Sequence, residues 1–487
     1  MTAPPNLTIR NLTSTPINLK VVERYEAHHH KVEVPKGIAS NFTSFARNAT
    51  SFVNTKTPVS LPSGAPSAPK LAENAQSFAH QEVDVRVEPF TVANTDLAAR
   101  EGEQRVMRIT IEVEGQRYRI DTPSPKDASQ TFVPLVPDPK FNLTGVFIEK
   151  DSYLAVYSSA NLQCWMREMK DETPLSGLSI PGTHNSPTCH KALPSVRCQA
   201  VSPLEQLQNG VRFFDIRVQP QSPNDPSKDG LILVHGVFPI SLTGNKYFRD
   251  LVGEVLKFLD ENPSETVIMS VKREGPGQHT DQQLSMILHD HYATERWYTD
   301  PAIPRLGEVR KKIVLMRRFM LDDRIKSDHD GRGWAIDAEN WAYNTPNDTH
   351  GAVCVQDFCE VLDTENIDKK ITYSCEHLGR AGACICPLPG ITTDAVNPVP
   401  PGPLYLNFLS ASNFWKVGCW PEKIARQLNP AIIDFLCEKH HADSNSPGDG
   451  TTGVVVCDWV GDNGDWDLVR CIVGMNARLE WREKQGM

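Results

Sequence analysis

No cysteine precedes Cys164, and all 12 fall in the remainder of the 487-residue chain. A disulfide-stapled module at the N-terminal end is thereby excluded. No apolar run approaches the roughly 18 residues that a spanning helix needs. The first 20 residues hold no apolar core of a secretory leader, so none is expected. No basic run stands out, and the net charge is −10 with a pI near 5.9. That balance argues against a nucleic-acid partner and against simple adhesion to anionic lipid. Cys354/Cys359 and Cys384/Cys386 form no C-x-x-C pairs and have no histidine at zinc spacing, so no zinc site is expected. Reduced thiols and a cytoplasmic or peripheral-membrane location are the expectation. Sequons such as Asn6-Leu-Thr and Asn142-Leu-Thr leave secretion open.

What is present divides near residue 160. Segments 6–12, 17–26, 83–90, 106–113 and 116–121 alternate apolar and polar residues, as half-buried strands do. Glu114-Gly115 supplies a hairpin turn. Residues 1–160 are therefore expected to form a small antiparallel β-domain of sandwich type. Within it Phe42, Phe45, Ala49, Phe52 and Val53 share a helical face, and residues 57–70 read as a Pro/Ser/Ala-rich linker. The phenylalanine stripe is read as core in preference to lipid contact.

Residues 161–487 follow another rhythm. Short apolar runs recur at 178–180, 212–218, 231–234, 266–271, 312–316, 352–355, 404–408 and 453–456. Helical spacing lies between several of them, at 251–259 and 424–436. Buried strands alternating with helices predict an α/β fold: a TIM-type (β/α)8 barrel, with irregular crossovers allowed. Polar residues lie in or follow these runs: Asp215 and Arg217 in the second, and His184 and Asn185, His235, Lys272 and Glu274, Arg318, Asp357 and Asp458 after others. A barrel gathers the C-terminal ends of its strands at one mouth, so these residues are expected to converge. Phe414, Trp415 and Trp420 follow the seventh run, where they either cap the core or reach a membrane interface.

Two histidines and an arginine at one mouth suit phosphoryl transfer. One imidazole takes a proton from a hydroxyl and the other gives one to the leaving oxygen. A guanidinium fork holds the phosphate. Asp458 is the candidate that orients the base, as a carboxylate behind an imidazole does.

The same residues carry a resemblance. Leu178-Ser-Ile-Pro-Gly-Thr-His184-Asn-Ser, Val211-Arg-Phe-Phe-Asp215-Ile-Arg217, Leu233-Val-His235-Gly and the segment from Asn262 to Lys272 stand in order. Lys312 to Arg318, Val355-Gln-Asp357 and Val456-Cys-Asp458 continue the series. Together they resemble the X domain of phosphatidylinositol-specific phospholipase C, in its bacterial single-barrel form, over roughly residues 164 to 480. The resemblance implies an enzyme that cleaves a phosphatidylinositol-type diester through a cyclic inositol phosphate. It implies His184 as general base with Asp458 as its orienter, His235 as general acid, and Arg217 on the phosphate. It implies Lys272, Arg318 and Asp357 as contacts of the inositol hydroxyls, and Asp215 as the acidic member of the hydrogen-bond network. Calcium-dependent relatives carry a carboxylate where Arg217 stands, so no metal cofactor is expected, with calcium as the less favoured case.

Two positions depart from the pattern. Asn185 stands where bacterial relatives carry aspartate, and Cys359 where an aromatic would stack on the inositol ring. Asn185 is nonetheless expected at the substrate. The implied partners are a phospholipid or another phosphodiester, with transient contact with a membrane surface. Two other readings remain at this stage: a metal-dependent glycerophosphodiester-type phosphodiesterase, and an inactive inositol-lipid-binding module.

Overall fold

The computed structural model describes residues 5–26, 71, 75–98, 105–124, 128–364, 366–390, 393, 394, 396, 400–442 and 446–485. The phenylalanine stripe and the linker at 57–70 lie outside the described residues.

Two five-stranded sheets face each other at the N-terminal end. One runs Ala79–Val87, Ile17–Glu26, Arg105–Val113, Gln116–Thr122 and Val133–Pro134, antiparallel throughout. The other runs Val92–Ala98, Asn6–Leu12, Tyr153–Ser158, Leu143–Ile148 and Ser129–Thr131. Leu7, Ile9, Leu19, Ile109, Ile111, Ile120, Leu154 and Val156 fill the space between them. The expectation of an antiparallel domain needs one correction, because Asn6–Leu12 pairs with Tyr153–Ser158 in parallel. The chain enters the sheet and leaves it along neighbouring strands with the rest of the sandwich between them. The extended connection that a parallel pair requires is thus available.

The outer face of the second sheet is covered over its central strands, while the edge strand Val92–Ala98 leaves alternate residues exposed. Val146, Ile148, Ala155 and Tyr157 belong to one apolar cluster with Ile432, Leu436, Val469 and Ile472 of the C-terminal helices Pro421–Glu438 and Asp467–Gly474. Arg10, 1 % exposed, reaches from the sheet to the end of Pro421–Glu438. Its guanidinium donates to the carbonyls of Leu436, Cys437 and His440 at 3.2, 2.9 and 2.7 Å. Those are carbonyls a helix leaves unpaired at its C-terminus, where a cation is also favoured by the helix dipole.

The remaining chain builds a curved parallel sheet. Ile313–Arg318, Val267–Arg273, Phe213–Pro220, Ile180–Thr183, Val454–Cys457, Leu404–Phe408 and Val353–Gln356 are neighbours in that order. Ile336–Asp337 adds a short strand beside Ile313–Arg318. Among the described residues no ladder joins it to Val353–Gln356, so the wall is a barrel left open at one seam. Helix Phe248–Glu261 covers the wall with Phe248, Leu251, Val255, Phe258 and Leu259, the spacing that puts them on one side.

Two features differ from the sequence expectation. The run at 231–234 is not a wall strand: Leu231–His235 folds back antiparallel on Phe213–Pro220 and forms a hairpin with Phe238–Pro239. Too few residues separate it from Phe213–Pro220 for a helical crossover, which takes a dozen or more. Its place in the wall is filled by Ile336–Asp337, too short to give a periodic signal.

Candidate active site

Strand register brings the polar residues together. Thr183 is the partner of Cys457 and of Phe214, so the next residues, His184, Asp458 and Asp215, sit side by side where the strands end. One row further along, Arg217 pairs with Lys272 and Lys272 with Arg318. Chains distant in sequence thus converge because parallel strands end together.

His184 Nδ1 lies 2.9 Å from Asp458 Oδ1. A carboxylate only accepts, so Nδ1 carries the proton, and in the neutral ring Nε2 carries the lone pair. Asn185 Nδ2, 3.0 Å away, donates to that Nε2. The backbone turns left-handed at Asn185 and again at Trp459, after each member of the His184–Asp458 pair. Asparagine tolerates that conformation better than most side chains. Burial opposes charge on His184, but Asp458 and the sulfur of Cys198 outweigh it and hold the imidazole well above its ordinary value.

His235 closes the hairpin strand, with its ring 6.0 Å from that of His184 and nearly perpendicular to it. Its Nδ1 donates to the carbonyl of Val196 at 2.7 Å, leaving Nε2 to face outward. Its pKa is raised: burial pulls it down, and Cys198 together with that carbonyl pushes it up further.

The cations form a braced set. Arg217 donates to Asp215 at 2.8 Å and to Glu274 at 2.9 Å. Glu274 also accepts from the Gly236 amide at 2.8 Å and lies 3.3 Å from Lys272 Nζ. Burial opposes its ionisation, yet Arg217 and Lys272 bring Glu274 down to about 2. Asp215, fully buried, is held well below the carboxylate range by Arg217 and Arg318, again against burial. Arg318 lies 4.0 Å above the Trp341 ring, and burial beside Arg217 lowers it to about 10. Burial, Arg217 and Arg318 lower Lys272 as well. Trp341 Nε1 donates to Asp357 at 3.0 Å.

A cavity of about 310 Å³ opens over this set, lined by His184, Arg217, His235, Lys272, Arg318 and Asp357 among others. Asp215 and Asp458 stand behind the lining, and Asn185 is buried against His184. Every candidate catalytic or substrate-binding residue read from the sequence is therefore at or directly behind one cavity. Cys359 also lines it, and so do Trp341 and Tyr343, which sequence reasoning did not find. Trp341 follows the two-residue strand that gave no signal. Cys198 was missed too, because it sits in the loop after Ile180–Thr183 with no spacing that marks it. A hard cation would need free carboxylate oxygens, and Asp215 and Glu274 both already face Arg217.

Beside the cavity the rim is apolar. Phe238 stacks on Phe414 at 5.3 Å, Trp415 meets Phe414 edge-on, and Trp415 is 89 % exposed. Val237 and Val417 are exposed beside them. Trp420 instead donates its indole N–H to the Phe414 carbonyl and is half-buried. Among the described residues no helix is long and apolar enough to cross a membrane.

Residues 172–319 match the family model of the phosphatidylinositol-specific phospholipase C X domain. A 1-phosphatidylinositol phosphodiesterase of Listeria monocytogenes is 34% identical over 172 residues, 33% of this chain and 50% of that protein. The chain thus spans half the length of that relative. A 1-phosphatidylinositol phosphodiesterase of Staphylococcus aureus is 27% identical over 336 residues, 64% of this chain and 93% of the relative. A solved structure of the Staphylococcus aureus phosphatidylinositol-specific phospholipase C shares the fold, with a TM-score of 0.50 at 24% identity, over 65% of this chain and 97% of that one.

Proposed function

Through residues 172–319 the chain belongs to the phosphatidylinositol-specific phospholipase C X-domain family, and we propose that it is an enzyme cleaving phosphatidylinositol-type diesters without a metal. The observation that carries this reading is the pair of imidazoles at one cavity, His184 backed by Asp458 and His235 backed by a carbonyl.

His184 Nε2 takes the proton of the inositol 2-hydroxyl as that oxygen attacks phosphorus. Asn185 must release Nε2 for this, and the substrate hydroxyl replaces it. The bond from phosphorus to the glycerol oxygen breaks, and His235 Nε2 gives the leaving oxygen its proton. Diacylglycerol departs and a 1,2-cyclic inositol phosphate remains, which water opens slowly by the reverse proton path. Arg217 neutralises the charge on the phosphate oxygens, held in place by Asp215 and Glu274. Lys272, Arg318 and Asp357 contact the ring hydroxyls. The guanidinium of Arg217, braced by both carboxylates, supplies the positive charge that a metal would otherwise bring. That also weighs against the glycerophosphodiester-type reading. The apolar rim of Val237, Phe414, Trp415 and Val417 supports brief contact of the mouth with a lipid surface. The division into a sandwich over 1–160 and a catalytic barrel over 161–487 is part of the proposal.

Phosphorus NMR of phosphatidylinositol micelles with excess EDTA tests the reading. The expected result is a cyclic inositol phosphate signal that His235→Ala abolishes. Product that needs calcium would overturn the metal-free part. Absence of product under both conditions would leave the inactive binding module.

A further inference from the structure

The proton inventory of His235 leaves an anion to be accounted for. Nδ1 is committed to the Val196 carbonyl at 2.7 Å, an acceptor only. An imidazole that also donates from Nε2 to a leaving group is therefore a cation before the reaction starts. A cation on a half-buried ring is favoured by a nearby negative charge. The carboxylates nearby are engaged elsewhere: Asp458 on His184, Asp215 on Arg217 and Arg318, and Glu274 on Arg217, Lys272 and the Gly236 amide. One group that can carry negative charge lies directly against the ring. Cys198 Sγ is 3.8 Å from His235 Nδ1.

The sulfur is fully buried. It lies 3.9 Å from Asn185 Nδ2, which points a donor at it; in its neutral form the thiol instead donates to the Val196 carbonyl at 3.6 Å, so the proposed thiolate gives up that bond. His184, Cys198 and Asp458 place a nitrogen, the sulfur and an oxygen within 4.8 Å of one another. The sulfur thus lies near both imidazoles. The loop that carries it is fixed: the Cys198 amide donates to Thr188 Oγ1 at 3.0 Å, and its carbonyl accepts from the Trp459 amide at 2.8 Å.

We infer that Cys198 is a positioning residue of the site: a buried thiolate that serves as counter-ion to the His235 imidazolium and keeps it protonated for proton donation. The inference rests on the acid role proposed for His235. The groups facing the pair agree with it. Burial and Asp458 push the thiol up, but His235 and His184 outweigh them and bring it to about 7. His184 pushes His235 down, and Cys198 and the Val196 carbonyl push it up. Glu274 approaches His235 from the neighbouring strand end, with its charge already shared by Arg217 and Lys272. A cysteine buried only for packing would be a neutral thiol.

The test uses the full-length protein and two readouts that need no turnover. The ultraviolet thiolate absorbance of the wild type minus that of Cys198→Ala isolates one thiol among the 12. NMR titration of His235 in both proteins follows the imidazole. The expected result is a Cys198 midpoint near neutrality and a His235 midpoint lower by about 1 unit in Cys198→Ala, the size of a lost neighbouring charge. The basic limb of the pH–rate profile falls by the same amount, and Cys198→Asp moves it back up. If Cys198→Ala fails to fold, Cys198→Ser is used in its place. A Cys198 midpoint at the ordinary thiol value, or an unchanged His235 midpoint, overturns the inference whether or not lipid is cleaved. Absence of cleavage by the wild type, with both midpoints as expected, would instead sink the catalytic reading and leave the ion pair standing.

Discussion

His184 and His235 meet edge to face, with ring centroids 6.0 Å apart, and only His184 has a carboxylate hydrogen-bonded behind it. Under the proposed mechanism that asymmetry matches His184 to the base and His235 to the acid. Asp458 on Nδ1 makes Nε2 of His184 a stronger base. The base works only when deprotonated, so turnover rises with pH through the His184 pKa, which stands well above the ordinary imidazole value. Asp458→Asn removes the charge that raises it. The acid limb of the profile then moves to lower pH, and the plateau rate falls by roughly 10²–10⁴-fold. A pH–rate profile of phosphatidylinositol cleavage reads both, and an unmoved limb refutes the assigned orienter.

Acid stability follows from Glu274. Its folded value, about 2, lies below its ordinary 4.5, so between the two the unfolded chain binds more protons. The stabilisation is complete above the ordinary value and is lost as pH falls towards about 2. For a buried ion-paired carboxylate that is worth roughly 1–3 kcal/mol. Thermal unfolding across this range is expected to show a shallower decline in Glu274→Gln than in the wild type.

The rim makes a separate prediction. Trp415 is 89 % exposed, so Trp415→Ala is expected to leave the melting temperature and the cleavage of a water-soluble inositol phosphodiester unchanged. Vesicle binding weakens by about tenfold, roughly 1.4 kcal/mol. Sedimentation with phosphatidylinositol-containing vesicles measures it. Equal binding by both proteins would show that the rim does not meet lipid.

Arg10 bears on stability alone. Arg10→Ala strands the Leu436, Cys437 and His440 carbonyls and leaves a hole in a dry interface. The loss is expected to be about 3–5 kcal/mol by denaturant unfolding. Turnover per folded molecule stays unchanged, because the site lies at the opposite ends of the wall strands from this contact.

The sequence made some elements legible and hid others for physical reasons. Ile17–Glu26 alternates because one face is less deeply buried, and Asn6–Leu12 because its outer face carries Asn6, Thr8 and the buried, hydrogen-bonded Arg10; the bounds of both were readable. Leu143–Ile148 and Tyr153–Ser158 were not, since both faces of these strands are covered and the alternation disappears. His184, Arg217, His235 and Asp458 were found because each ends an apolar run. The run before His235 was nonetheless misassigned to the wall, since an apolar stretch looks the same in a hairpin as in a parallel strand. Cys198 ends no run, and its importance lies in contacts with residues 13 and 37 positions away.

The grip of Arg10 on residues 436–440 also sets an order of events during synthesis. The strand that carries it leaves the ribosome more than 400 residues before the carbonyls that satisfy it. Until then its guanidinium has no helix end to meet, and the sheet face of Val146, Ile148, Ala155 and Tyr157 stays wet. Ribosome-bound chains halted before residue 436 are consequently expected to expose that apolar face and to aggregate more readily than chains carried past it.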